Sequence, residues 1–219
     1  MTLFLRLSLL LSLSLLFGCA STPHQPSEAF LKANPHSILV LPPTNKSPEV
    51  LAPYMYLSTM NKALGERGYY VFPVMLVDQF MKDNGYYIPE EMHQIPIDKL
   101  YDVFGQDAVL YINISRFGQE FFLFSSSTVV QAQARLVDSK TGTTLWEGKA
   151  FHSESTNNGS TSSFTQMMVN AVMDQIVDNL SVRVRHVSYI ANDQMINNPS
   201  GFPKGPYRIA RELEEAKNK

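Results

Sequence analysis

The 219-residue chain is 44% hydrophobic and 17% charged, with a formal net charge of −2. That balance suits one globular domain with attachments and excludes the basic footprint of a nucleic-acid binder, so no nucleic-acid partner is expected. A single cysteine excludes an internal disulfide framework and any multi-cysteine zinc site, which leaves an ordinary hydrophobic core to hold the fold.

The chain opens on an export signal, residues 1–18. Arg6 supplies the positive charge, and Leu3 to Phe17 is almost entirely Leu, Phe and Ser. This apolar run is about 15 residues, short of the roughly 20 a spanning helix needs. It ends in "LFGC", with Leu16, Phe17 and Gly18 before Cys19, and so resembles a bacterial lipobox. The thiol is the side chain of this stretch that a diacylglyceryl group readily alkylates. Cleavage after Gly18 would leave lipidated Cys19 as the new N-terminus. Each buried methylene then adds ~0.8 kcal/mol, so several acyl chains anchor stably. A buried or incidental cysteine behind a plain signal peptide is the competing reading. In Gram-negative lipoproteins an Asp after the cysteine retains the protein at the inner membrane. Ala20 in that position points to the outer membrane, facing the periplasm or the cell surface. Residues 19–35, rich in Ser and Pro, read as a lipidated flexible tether.

From residue 36 the pattern is that of a folded domain. "SILVLPP" (Ser37–Pro43) reads as a buried strand closed by prolines. A helix is expected from about Pro53 to Arg67, with Leu57, Met60 and Leu64 on one face and Gly68 at its end. "YYVFPV" (Tyr69–Val74) reads as a second strand, and "MLVDQFMKDNG" as a short helix with Leu76, Val77, Phe80 and Met81 inward. After an excursion containing Pro89 and Pro96, "PIDKLYDVFG" makes another helix from Pro96 to Gly105.

The second half is β-rich. "DAVLYINISRF" is a strong strand. In "STVVQAQARLVD", Val130, Ala132, Ala134 and Leu136 face in, while Gln131, Gln133 and Arg135 face out. "SKTG" turns the chain at Gly142, and "TTLWEGKAFHSES" returns as the partner strand. A polar loop leads into the longest helix, Phe164 to about Arg185, where Ser163 and Gln166 can form a capping box. The fold class expected is α/β: a single mixed sheet, parallel in its β-α-β start and antiparallel in its later hairpins, with helices packed on it. The domain is placed at 36–190 and a polar C-terminal tail at 191–219.

Two stretches, "GQDAVLYINISRFG" and "LVDSKTGTTLWEGKA", resemble a family of uncharacterised Gram-negative lipoproteins typified by a meningococcal surface lipoprotein antigen. The likeness spans nearly the whole chain. Asp138, Thr141, Gly142, Leu145 and Trp146 are also similar to a hairpin in the curli-secretion lipoprotein and in the N-terminal domain of the Tol-system periplasmic protein. The resemblance implies an exported α/β domain acting in envelope transport or assembly, and it implies no catalytic residues. After Gly205-Pro206-Tyr207 the family pattern would give His-Pro, whereas this chain has Arg208-Ile209.

The chemistry-bearing motifs are sparse. "KTG" (Lys140–Gly142) lacks the Ser-x-x-Lys and Ser-Asp-Asn elements that penicillin-binding chemistry needs, so it reads as a hairpin turn. Glu90-x-x-His93 is half of a di-iron pattern without its second copy, and an exposed loop is expected there rather than a metal. The five histidines are scattered, and no nucleotide fingerprint appears, so no metal, cofactor or catalytic residue is assigned. The four Asn-x-Ser sequons, at Asn45, Asn113, Asn158 and Asn179, carry no weight in a bacterial lipoprotein.

"FGQEFFLFSSST" is the unusual stretch. Phe121, Phe122, Leu123 and Phe124 stand between two strands, where connections are ordinarily polar. They read either as a strand continuing into the core or as an exposed contact for a partner or the membrane surface. The function expected is a non-enzymatic outer-membrane lipoprotein, anchored through Cys19 and serving an envelope assembly, secretion or transport system. Its partners would be other envelope proteins, with homo-oligomerisation left open. A periplasmic hydrolase acting on envelope material is the alternative.

Overall fold

The computed structural model describes residues 25–122, 125–156, 180–198 and 201–218. The export signal, Cys19, Leu123, Phe124, Ser163, Gln166 and the helix start at Phe164 lie outside them. Within them the chain forms α1 (Glu28–Ala33), β1 (Ser37–Val40), β2 (Thr44–Asn45), α2 (Ala52–Arg67), β3 (Tyr70–Val71) and α3 (Val74–Asp83). It continues through α4 (Pro89–Met92), α5 (Ile97–Phe104), β4 (Ala108–Phe122), β5 (Ser125–Asp138), β6 (Thr144–Thr156), α6 (Leu180–Asn197) and α7 (Pro206–Lys217).

The six strands make one sheet in the order β3-β1-β4-β5-β6, with β2 set beside β4. β1 pairs in parallel with β3 and β4, while β4–β5 and β5–β6 are antiparallel. The mixed sheet is therefore as the sequence implies. β1 and the first half of β4 are covered on both faces, which is why both read as unbroken apolar runs. The larger core joins α2 and α6 to one face through Tyr56, Met60, Leu64, Leu110, Ile112, Leu136 and Val187. A smaller core on the other face joins α3–α5 through Val77, Met81, Met92 and Leu100 to Leu39, Leu41, Val109 and Tyr111. Through Val130–Leu136, β5 contributes its alternate residues to the larger core alone, and its clean alternation reflects that.

Prolines cut the early strands shorter than their composition suggests. Pro42 and Pro43 interrupt the first strand after Val40, and pairing resumes at Thr44 against Asn113. Pro73 lacks an amide donor, so the second strand is limited to Tyr70–Val71 and α3 begins at once. On α3, Val77 and Met81 are buried as expected, but Leu76 and Phe80 are 68% and 39% exposed. The buried strip runs through Val77, Asp78 and Met81, which leaves the other two on the flanks. Phe80 instead stacks edge-on against Phe104, ring centroids 5.1 Å apart.

The fold reaches beyond 36–190 at both ends. Ser27 caps α1 by accepting the Phe30 amide at 3.1 Å and donates its hydroxyl to the Leu145 carbonyl at 3.1 Å. Phe30 is buried in the main core, so about half of the expected tether, from Ser27 on, is structured. α6 runs to Asn197 instead of stopping near Arg185, with Asn192, Met195 and Ile196 buried. Phe202, in the segment read as polar tail, is fully buried. It meets the rings of Trp146, Tyr69 and Phe30 at 4.7, 5.2 and 6.3 Å. Beyond it α7 buries none of its residues, in keeping with a solvated helix.

Candidate functional site: a projecting ribbon with an open edge

β4, β5 and β6 are 15, 14 and 13 residues long, against four or fewer for β1–β3. The start of β4, the end of β5 and the start of β6 lie together at one end of the sheet, where Ala108 faces both Ile38 and Asp138. The three strands continue past the last short strand as a three-stranded ribbon. A bulge between Ile114 and Arg116 shifts the register there. The extra residue, Ser115, ties its hydroxyl to the Gln131 carbonyl at 3.2 Å. Bulges of this kind sharpen strand twist and re-aim the strand beyond them. Past it, Phe117, Val129 and Val130 remain buried, and Arg116 holds the Glu120 carboxylate through Nε at 2.7 Å and through Nη2.

Phe121 and Phe122 are the last residues of β4, in register with Ser126 and Ser125. They belong to the outer end of the ribbon, and the rest of the stretch, Leu123 and Phe124, lies outside the described residues.

The ribbon has one open face and one open edge. α3–α5 cover β1, the start of β4 and Val137 at the end of β5, but leave the middle of β5 and β6 open. The uncovered side carries a shallow groove of about 670 Å³ lined by Asn113, Gln133, Arg135, Glu147 and Lys149. The Arg135 guanidinium lies 5.5 Å above the Tyr111 ring at its rim, and Phe151 on the same face is 54% exposed. β6 ends the sheet, and among the described residues its only strand partner is β5. Such an edge offers unpaired N–H and C=O groups to another chain. Its first turn is occupied, because α1 packs there and Ser27 takes the Leu145 carbonyl.

The other candidates resolve as structural. Asp138 Oδ2 accepts from the Thr141 amide at 2.8 Å and hydroxyl at 2.6 Å, and Gly142 sits at φ +69°, which makes "KTG" a hairpin turn as expected. His93 departs from the expected exposed loop. It is half-buried, donates Nε2–H to the Pro42 carbonyl at 2.9 Å and stands edge-on to Tyr111. Burial pushes its pKa down, only partly offset by that hydrogen bond. It pins α4 to the β1–β2 link. Glu154 lies 3.7 Å from His152 and 3.8 Å from His186. Among the described residues no three His, Cys, Asp or Glu side chains converge as a metal site.

Two features escaped sequence reading. Asp107 accepts from the His36 amide, the Ser37 amide and the Ser37 hydroxyl at 2.9–3.0 Å, joining the starts of β1 and β4. A basic cleft gathers Arg67 with Lys204, Arg208 and Arg211. The only signal for the second was "PSGFPKGPY", where one Phe among Pro and Gly marks a plug rather than a loop.

A family model described as "Putative lipoprotein GNA1162-like" matches residues 27–207. The "Putative lipoprotein NMB1124/NMB1162" of Neisseria meningitidis serogroup B is 39% identical over 180 residues, 81% of this chain and 83% of that one. The crystal structure of lipoprotein GNA1162 from Neisseria meningitidis superposes with a TM-score of 0.54 at 43% identity, covering 66% of this chain and all of that one. The PelC dodecamer from Paraburkholderia phytofirmans gives 0.45 at 12% identity, over 78% of this chain and 90% of that one.

Proposed function

Since the chain belongs to the GNA1162-like lipoprotein family, we propose that a lipid on Cys19 anchors it to the outer membrane and that its domain docks other envelope proteins without catalysing a reaction. In this reading it is a component of an assembly, secretion or transport system. The observation that carries it is the ribbon. Three long strands run on past the short ones, with the exposed aromatic Phe151 on one face and, among the described residues, no second strand on the β6 edge. The extension adds Phe117 and Val130 to the main core, yet it also lengthens an edge of the kind that invites pairing and that natural sheets usually blunt. Among the described residues no helix is long and apolar enough to cross a membrane.

The test is site-specific photocrosslinking in cells, with the reactive residue at Phe122 or Phe151 on the ribbon and at Leu76 on α3 as reference. Discrete adducts with one or a few envelope proteins are expected from the ribbon positions and not from Leu76. Adducts of equal yield and identity from all three positions would remove the ribbon from the argument. The anchor is tested separately: Cys19→Ser should abolish incorporation of labelled palmitate and release the protein from membranes.

A further inference from the structure

The ribbon leaves one end of the sheet, and the chain enters at the other. Gln25 and Pro26 are the first described residues, and Pro26 lines a groove with Leu31 of α1 and Ile209 of α7. Leu31, Ile209 and Leu213 are 64%, 46% and 58% exposed, and Ile209 and Leu213 stand one helical turn apart on a helix that buries nothing. This groove shares Arg67 and Lys204 with the adjoining basic cleft of about 490 Å³, which adds Arg208 and Arg211. Four cations there meet two carboxylates, Glu66 and Glu212. Glu212 is already committed. It accepts from Lys204 Nζ and Arg208 Nε, each at 2.7 Å, and these bonds pull its pKa down to about 2. Arg211 makes no ion pair among the described residues.

The cleft is held rigidly. The Gly205 amide donates to the Arg67 carbonyl at 2.9 Å, and a Cβ on Gly205 would sit 2.2 Å from the Gly68 carbonyl oxygen. Arg67 Nε also donates to the Phe202 carbonyl at 2.6 Å. The N-terminus of α7 is thus fixed to the C-terminus of α2, and the apolar stripe and the basic cleft keep a constant relation.

We propose that this end of the domain, α7 with α1, lies on the surface of the anchoring bilayer, with Leu31, Ile209 and Leu213 against its interface and the Arg67–Arg211 cleft on the phosphates of anionic phospholipids. The inference rests on lipidation at Cys19. Pro26 follows that position by seven steps of chain, at most about 25 Å when fully extended, so the Pro26 end is the one the anchor keeps near the headgroups. An exposed apolar helix stripe beside basic side chains is the surface that such an interface covers, and each basic group near an anionic leaflet changes binding roughly fivefold.

The experiment uses the full lipidated protein on vesicles of phosphatidylethanolamine and phosphatidylglycerol. Cys19 is the only cysteine and is blocked by lipid, so Leu213→Cys or Leu76→Cys gives a single thiol for a fluorophore. A quencher is carried on headgroup-labelled lipid. Quenching at position 213 should exceed that at 76 at least about twofold, and should fall severalfold in Arg208→Glu/Arg211→Glu or when phosphatidylcholine replaces phosphatidylglycerol. Flotation with vesicles, read in the same samples, should not change. Equal quenching at 213 and 76, or quenching indifferent to lipid charge, overturns the proposal while leaving the anchor intact. Failure of the parent protein to float overturns the anchor and this inference with it.

Discussion

Phe202→Ala offers a quantitative check on how the two ends of the chain are bound into one core. The ring is wholly buried and touches three others, Phe30 from α1, Tyr69 beside β3 and Trp146 from β6. Removing it forfeits about 2–3 kcal/mol of apolar burial. Edge-to-face contacts add about 0.5–1.5 kcal/mol each, partly overlapping with burial, and the surrounding rings cannot fully close the cavity. The expected loss is about 3–5 kcal/mol, the range found for Phe→Ala in cores. For a chain of this size that lowers the melting temperature by about 10 °C. Phe202→Leu, which keeps most of the volume, should lose about 1–2 kcal/mol. Urea unfolding followed by circular dichroism measures the loss. The single tryptophan, Trp146, lies 4.7 Å from the ring and supplies an internal probe. Its native-state emission should shift to the red in the Ala variant as water reaches the indole. A loss under about 1 kcal/mol with unshifted emission would refute the placement of Phe202 and with it the attachment of α7.

Other substitutions test separate joints. Asp107→Ala should destabilise by about 1.5–3 kcal/mol at neutral pH, because the His36 and Ser37 amides and the Ser37 hydroxyl lose a charged acceptor. Burial alone would raise the Asp107 pKa, but those three donors outweigh it and hold it below the ordinary carboxylate range. Its contribution is therefore complete above that range and fades as pH drops through the lower folded-state value. The gap between parent and variant in urea titrations should narrow only in strong acid. Gly205→Ala should cost about 1–3 kcal/mol, since the new Cβ would meet the Gly68 carbonyl at 2.2 Å. The same change at Gly85, where a Cβ meets nothing but φ is +89°, should cost about 1 kcal/mol, which separates clash from backbone strain. His93→Phe keeps the ring against Tyr111 but drops the bond to the Pro42 carbonyl, and should lose about 1–2 kcal/mol by the same measurement.

The features legible in the sequence were those that depend on near neighbours. The alternation Val130, Ala132, Ala134, Leu136 reports a strand with one buried face. Asp138 and Gly142 report their own turn, because its hydrogen bonds span four residues. The unbroken run from Ala108 to Ile112 reports burial on both faces, and the pairing type is set by whether a helix or a tight turn joins the strands. The misreadings arise where contact partners are far apart. Nothing near Leu76 or Phe80 says that β1 and β4 present only a narrow strip to α3. Nothing near Phe202 shows that Trp146 and Tyr69 wait for it, or that Arg67 will donate to a carbonyl 135 positions away. The cleft is invisible for the same reason, since Arg67 and Arg211 belong to segments that each look like ordinary solvated helix ends.

Placing the anchor and the ribbon on one axis narrows what Phe121 and Phe122 can touch. β4 pairs continuously with β5 from Ala108 to Phe122 apart from the one bulge, and at about 3.3 Å per residue that is roughly 45 Å of strand. Ala108 is at the sheet end where α1, Gly68 and the Leu145 carbonyl gather, and Pro26 emerges there. If that end lies on the bilayer and the strands stand upright on it, the tip of the ribbon stands up to about 45 Å away. A partner that docks at the tip must then extend to that height or come from another layer of the envelope. Quenching by headgroup-labelled lipid at Phe122→Cys should accordingly stay at the level of solvent. Strong quenching there would mean that the ribbon lies against the membrane, and would refute the upright placement.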